Sequence, residues 1–184
     1  MERYEQMLSH FEALLAYKGE YIGVREMRSH ASWYTHGLYG SAALRERIMT
    51  ADQAASLIQS GMTLGMSGFT PAGAPKAVPQ ALARRIEERN ANGGNFRISL
   101  WTGASTSPEL DGALAKVHGI ERRLSYQSDP TVRKEINEGR MQYVDIHLSH
   151  VAQHVWFGFL GHLDVAVIEV AGVLPDGRLI PSTS

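Results

Sequence analysis

Two glycine-rich stretches hold the residue types best suited to chemistry. The first, residues 65–73, reads Gly-Met-Ser-Gly-Phe-Thr-Pro-Ala-Gly and follows a short apolar run. Glycines there allow close backbone approach to a ligand, and exposed N–H groups can hold a carboxylate, a carbonyl oxygen or a phosphate. The second, residues 101–106, reads Trp-Thr-Gly-Ala-Ser-Thr after another apolar run. Neither stretch matches GxxxxGKS/T or GxGxxG, so ATP and dinucleotide readings have little support. By spacing alone each fits a structural turn as well as a ligand loop. Loops beyond the carboxyl ends of parallel strands converge on one crevice, however, so the two together are a stronger candidate than either by itself.

Other residues invite chemical readings that weaken on inspection. His147, His150 and His154 are spaced by three and four residues and would share a face if all were helical. Asp145-Ile146-His147 also reads as a strand end, which breaks that geometry, and no metal is expected. Glu169 follows an apolar strand, where a hydrogen-bonding or salt-bridge role is preferred over catalysis. Near the N-terminus Lys18, Arg25, Arg28 and His30 surround Trp33 and Tyr34. Arginines can clamp phosphates and aromatics can stack on bases, but the same pattern suits a small helical bundle with its cations in water. The mixed signs of residues 121–123 and 133–135 read as solvated helix faces. Trp156, Phe157 and Phe159 suit core or interface packing.

The elements that must position these residues change character near Met49-Thr50. With 184 residues the chain can bury one substantial core, and the first 49 would be marginal alone. The formal net charge of -1 argues against a dedicated nucleic-acid binder. No cysteine is present, which excludes a disulfide scaffold and thiol chemistry and is compatible with the cytoplasm, the expected location. The N-terminal run has no continuous hydrophobic stretch, so neither a secretory signal nor a membrane span is expected.

Ahead of the seam, Tyr4, Met7, Leu8, Phe11, Leu14 and Leu15 recur at helical spacing, and Lys18-Gly19 should end that helix. A second helix over 24–34 and a third opening at 41 complete a short all-helical segment. Behind the seam, Thr50 caps a helix, and strands and helices then alternate: a strand in MTLGMSG, a helix over 78–90, a strand in FRISLWTG, a helix in SPELDGALAKV, a short strand at LSYQ, a helix after Asp129-Pro130, a strand in MQYVDIHL and a short helix around SHVAQHVWFGFL. The run LDVAVIEVAGV is nearly all apolar and predicts a central strand covered on both faces. The alternation predicts a three-layer α/β domain with a largely parallel sheet.

The run GMSGFTPAGAPKAVPQALA, with LWTGASTSPELDGALA, RRLSYQSDPTVRKEIN, YVDIHLSHVAQ and LDVAVIEVAGVLPDGRLIPSTS, resembles the N-terminal part of the acetyl-CoA hydrolase/transferase family, particularly acetate and succinate CoA-transferases. The order REMRSHASWY, within residues 1–48, resembles the C-terminal helical domain of bacterial tRNA-dihydrouridine synthases. Two regions are therefore expected, a helical segment over 1–49 and a truncated CoA-transferase-like α/β domain over 50–184.

The first resemblance implies coenzyme A as substrate, an acyl-CoA and a small carboxylic acid as partners, and no metal or redox cofactor. Enzymes of that family exchange CoA through a glutamate that forms acyl-anhydride and glutamyl-CoA thioester intermediates. It implies that Ser67, Gly68, Phe69, Thr70, Ala72 and Gly73 shape the acyl or carboxylate side of the site, and Gly103, Ala104 and Ser105 another wall. Lys76 is a charge partner for a carboxylate or a CoA phosphate, and Pro71 and Pro75 stiffen the loop. The family's nucleophile lies in its C-terminal half, which this sequence does not reach, so an inactive partial enzyme completed by that half or by a homo-oligomer is expected. The second resemblance implies RNA-facing roles for Lys18, Arg25, Arg28 and His30 and weak tRNA binding. It implies no flavin chemistry, because neither the flavin-holding barrel nor a cysteine acid is present.

Overall fold

The computed structural model describes residues 2–34, 50–104, 106–174 and 177–182; within the first span, the side chains of 2–5, 20, 21, 24, 25, 28, 29 and 31–34 lie outside the description. The third helix expected from residue 41 also lies outside the described residues. The chain divides into two compact units, residues 1–48 with 175–177, and residues 49–174 with 178–184.

The first unit is built from α1 (Glu2–Tyr34). Gly19 interrupts it with φ 76° and ψ 166°, values that L-residues with a side chain rarely adopt. The two arms then fold back on each other. A Cβ at Gly23 would lie 3.0 Å from the Leu14 carbonyl oxygen, so glycine permits this close approach. Leu14 and Met27 are buried, His10 stacks on His30 with ring centroids 4.6 Å apart, and Lys18 Nζ is 2.7 Å from Glu26 Oε2.

The second unit runs α2 (Ala51–Ser56), β1 (Thr63–Met66), α3 (Ala77–Ala91), β2 (Ile98–Trp101), α4 (Asp111–Lys116), β3 (Ile120–Leu124), α5 (Pro130–Asn137), β4 (Gln142–Val144), α6 (Leu148–Trp156), β5 (Val165–Val167), β6 (Val170–Val173) and β7 (Leu179–Pro181). Thr50 starts α2 with a reciprocal cap: its Oγ1 accepts from Gln53 N–H, and its own N–H donates to Gln53 Oε1. Asp129 caps α5 by accepting from Thr131 and Val132 N–H, and Pro130 at the first helical turn gives up no needed donor.

Five strands form one parallel sheet in the order β4-β3-β2-β1-β5, and β6 pairs antiparallel with β7 in a separate ribbon. Leu64, Met66, Ile98, Leu100 and Ile120 face a core completed by Ala55, Ile58, Leu82, Ile86, Leu114 and Val132 from α2 to α5. Three successive steps in one direction, β1 to β2 to β3 to β4, place α3, α4 and α5 on one face, as right-handed crossovers require, and α2 packs beside α3. The return from β4 to β5 crosses the other face. There Arg122 donates to the Leu160 carbonyl, and a Cβ at Gly65 would lie 3.2 Å from Leu163 Cδ1.

Three expectations are corrected. The apolar run 163–173 is not one central strand: it breaks at Ile168-Glu169 into the edge strand β5, which pairs with β1, and β6, which leaves the sheet. Its residues are half-buried or exposed because a strand at the edge has one unpaired side. The third strand is IERRL rather than LSYQ, with Leu124 its last residue. Residues 121–123 and 133–135 are not uniformly solvated helix faces either. Arg123 lies within β3 and is fully buried because Asp111 and carbonyl oxygens meet its guanidinium, and Glu135 turns inward to Arg140 and His118.

Candidate functional site

The carboxyl ends of β1, β2, β3 and β5 lie side by side because all four strands are parallel. Successive connections from β1 to β4 move one way across the sheet and the last returns to the opposite side of β1, so β1 and β5 flank the topological switch point. Open α/β sheets place their ligand crevice at such a point.

The loop after β1 is fixed here by its own hydroxyl. Ser67 Oγ donates to the Gly73 carbonyl at 2.8 Å and accepts from Glu169 N–H at 2.9 Å, while Ser67 N–H donates to the Val167 carbonyl at 3.0 Å. One side chain therefore closes the loop on itself and ties it to the end of β5. At the tip, Phe69 and Ala72 exchange both backbone hydrogen bonds, at 2.8 and 3.1 Å, around Thr70-Pro71. Thr70 takes φ 51°, a left-handed conformation that is costly for a β-branched residue and persists only where surrounding bonds enforce it.

Those bonds come from the second loop. Thr70 N–H donates to the Ala104 carbonyl at 3.0 Å, and Thr106 N–H donates to the Thr70 carbonyl at 3.3 Å. The structure thus brings Ser67, Gly68, Phe69, Thr70, Ala72 and Gly73 together with Gly103 and Ala104; Ser105 lies outside the described residues. Phe69 is 62% exposed at the rim, whereas Gly73, Ala74 and Pro75 are buried beneath it. Lys76, at the start of α3, places Nζ 3.0 Å from Glu169 Oε2 and donates to the Ala74 carbonyl.

A third loop supports the second. Ser125 Oγ donates to the Gly103 carbonyl, and Thr106 Oγ1 lies 2.8 Å from Ser128 Oγ. Beneath them Asp111 Oδ1 accepts from Ser107 N–H at 2.9 Å, and Oδ2 meets Arg123 Nη2 at 3.3 Å. Arg123 also donates to the Leu124 and Tyr126 carbonyls. Burial pushes the Asp111 carboxyl up, opposed by Arg123, and the same burial pulls Arg123 down. Sequence reasoning missed this support, because an arginine flanked by Glu121 and Arg122 carries no pattern that marks it as buried.

The remaining candidates do not join this site. His147 caps α6 with its ring by accepting from Ser149 N–H, so it is not inside the helix with His150 and His154. The three rings stand in a row, with centroids 5.6 and 6.2 Å apart. Among the described residues no group of three histidine or acidic side chains is arranged to hold a metal, and no helix is long and apolar enough to cross a membrane. Lys18 is paired with Glu26 and His30 stacks on His10, whereas the side chains of Arg25 and Arg28 lie outside the description.

The family model for the acetyl-CoA hydrolase/transferase N-terminal domain matches residues 39–184. The chain belongs to that family. Its match begins ahead of the compositional seam at Met49-Thr50. Among relatives in the acetyl-CoA hydrolase/transferase family, the succinyl-CoA:acetate CoA-transferase of Clostridium kluyveri is 44% identical over 140 residues, covering 76% of this chain and 26% of the relative. The propanoyl-CoA:succinate CoA transferase of Escherichia coli is 47% identical over 131 residues, 71% of this chain and 27% of its own length. An acetyl-CoA hydrolase of Yarrowia lipolytica is 39% identical, with 74% and 28% covered. The chain spans about a quarter of the length of these relatives.

Proposed function

We propose that this chain supplies the strand-end wall of an acyl-CoA site, used for CoA transfer to a small carboxylic acid of the acetate or succinate type. The observation that carries this reading is the joining of two glycine loops at the switch point, through Ser67 to Glu169 and through Thr70 to Ala104 and Thr106. Backbone donors of loops at such a place can bind a carboxylate or an acyl carbonyl and stabilise the oxyanion that develops on it. CoA-transferase and acetyl-CoA hydrolase names among the relatives support an acyl-CoA ligand.

In this reading Ser67, Gly68, Phe69, Thr70, Ala72 and Gly73 shape the carboxylate or acyl side, Gly103, Ala104 and Ser105 shape a second wall, and Lys76 attracts an anionic group. Coenzyme A enters as substrate, and neither flavin nor metal is required. These loops bind and orient the ligand, and the nucleophilic carboxylate comes from outside them, on the C-terminal half that the family resemblance implies. We infer a cytoplasmic location from the cysteine-free sequence and keep two regions, 1–49 and 50–184, as its organisation.

The test pairs binding with turnover. Acetyl-CoA and succinyl-CoA, offered with several carboxylate acceptors to the folded chain, should bind saturably and give no transfer. Transfer by the chain alone would overturn the incomplete-site reading and make Glu169 the first carboxylate to replace. The alternative, a tRNA-binding helical appendage, rests on the sequence resemblance of residues 1–48. Salt-sensitive tRNA binding that is lost on changing Arg25 and Arg28 would favour it.

A further inference from the structure

Lys76 and Glu169 are 93 positions apart in sequence, yet the fold sets Nζ and Oε2 3.0 Å apart where the loop after β1 meets the end of β5. Their surroundings favour negative charge. Lys76 is the N-terminal cap of the 15-residue α3, has no side-chain hydrogen bond to the helix amides, and no acidic residue occupies the first turn. The partial positive charge of that helix end adds to the ammonium. Glu169 is the anion that answers it, and Ser67, the residue that closes the glycine loop, holds its backbone N–H.

We infer that Glu169 is a resident counter-ion that an anionic group of the ligand displaces from Lys76, and so sets the site's selectivity against ligand charge. The inference rests on the acyl-CoA reading above and adds a competition to it. The pair is accessible to a ligand, with the Lys76 side chain 50% and the Glu169 side chain 32% exposed. Exchange is energetically feasible because a partly exposed ion pair is weak and a ligand oxyanion can replace the carboxylate it removes. The ligand group is an oxyanion, either a substrate carboxylate or a phosphate of coenzyme A.

The test measures binding of succinate, its neutral isostere succinamide, pyrophosphate and acetyl-CoA to the full chain and to Glu169→Gln, Lys76→Met and the double variant, each checked by circular dichroism. Glu169→Gln should tighten binding of an oxyanion by roughly two- to fivefold at low salt, with the gain shrinking as salt rises. Succinamide affinity should not change, and Lys76→Met should abolish the gain in the double variant. A gain confined to succinate identifies a carboxylate as the displacing group; one confined to pyrophosphate identifies the phosphate; either supports the inference. Acetyl-CoA binding by the parent chain with no oxyanion gain in Glu169→Gln overturns the inference and leaves the acyl-CoA reading intact. If the folded parent chain binds none of the four, both fall together. Glu169→Asp, which keeps the charge, should behave as the parent and separates a charge effect from a packing effect.

Discussion

Replacing Asp111 by Ala should cost this protein much of its stability. Both Asp111 and Arg123 are fully buried, and the carboxylate is the charged partner the guanidinium meets at 3.3 Å. The substitution leaves Arg123 charged in a low-dielectric site with the Leu124 and Tyr126 carbonyls, and it strips Ser107 N–H of its acceptor. Breaking a buried pair from one side costs about 3–5 kcal/mol. With a urea dependence of about 1–3 kcal/mol per molar, the unfolding midpoint should fall by about 1–5 M. Removing both charges in Asp111→Ala/Arg123→Met should recover about 2 kcal/mol of that loss, because no buried charge is then unpaired. Urea titrations followed by circular dichroism measure Asp111→Ala, Arg123→Met and the double variant. A single variant within about 1 kcal/mol of the parent, or a double variant as unstable as the sum of the singles, would refute the reasoning.

Four further outcomes follow from the same structure. Ser67→Ala removes both hydrogen bonds that tie residue 67 to Gly73 and Glu169, so acetyl-CoA binding measured by calorimetry should weaken while the helical content is kept, at a stability cost of about 1–3 kcal/mol. Gly112→Ala should destabilise by about 1–3 kcal/mol in thermal melts, because its Cβ would lie 2.8 Å from Asp129 Oδ2 and disturb the α5 cap. Leu100→Ala, at a fully buried core position, should cost about 2–5 kcal/mol in the same assay. Arg140 chiefly, with His118, holds the Glu135 carboxyl below the ordinary range, so its stabilisation is present above the unfolded-state value and is lost as pH falls through the lower folded one. Below about pH 4 the parent should therefore lose stability more steeply than Glu135→Gln, as read by denaturation at stepped pH.

The parts of the fold legible in sequence were those governed by local signals. Thr50 and the Asp129-Pro130 pair marked helix starts, Gly19 marked the break in α1, and alternation at Phe96, Ile98 and Leu100, all three buried, marked β2 and the approach to it. Periodicity does not show where a strand lies in its sheet. The run 163–173 has the composition of a central strand, but β5 is at the edge because the return crossover delivers it outside β1. Nor does composition show the partner of a charge. Arg123 and Glu135 look solvated in sequence and are buried because Asp111, Arg140 and His118 arrive from other elements. The two glycine loops were visible as candidates, but their joining through Thr70 depends on tertiary position, as does the meeting of Lys76 with Glu169.

The most direct measurement is a backbone amide NMR titration of the chain with acetyl-CoA. Saturable shifts concentrated on the non-proline residues of 65–76, on 101–104, 106 and 107, and on 167–169 are the expected result, since those amides lie in the joined loops and the strand end that meets them. Saturable binding that moves amides elsewhere, or no binding by the folded chain, would contradict the assignment of the acyl-CoA site to the strand ends.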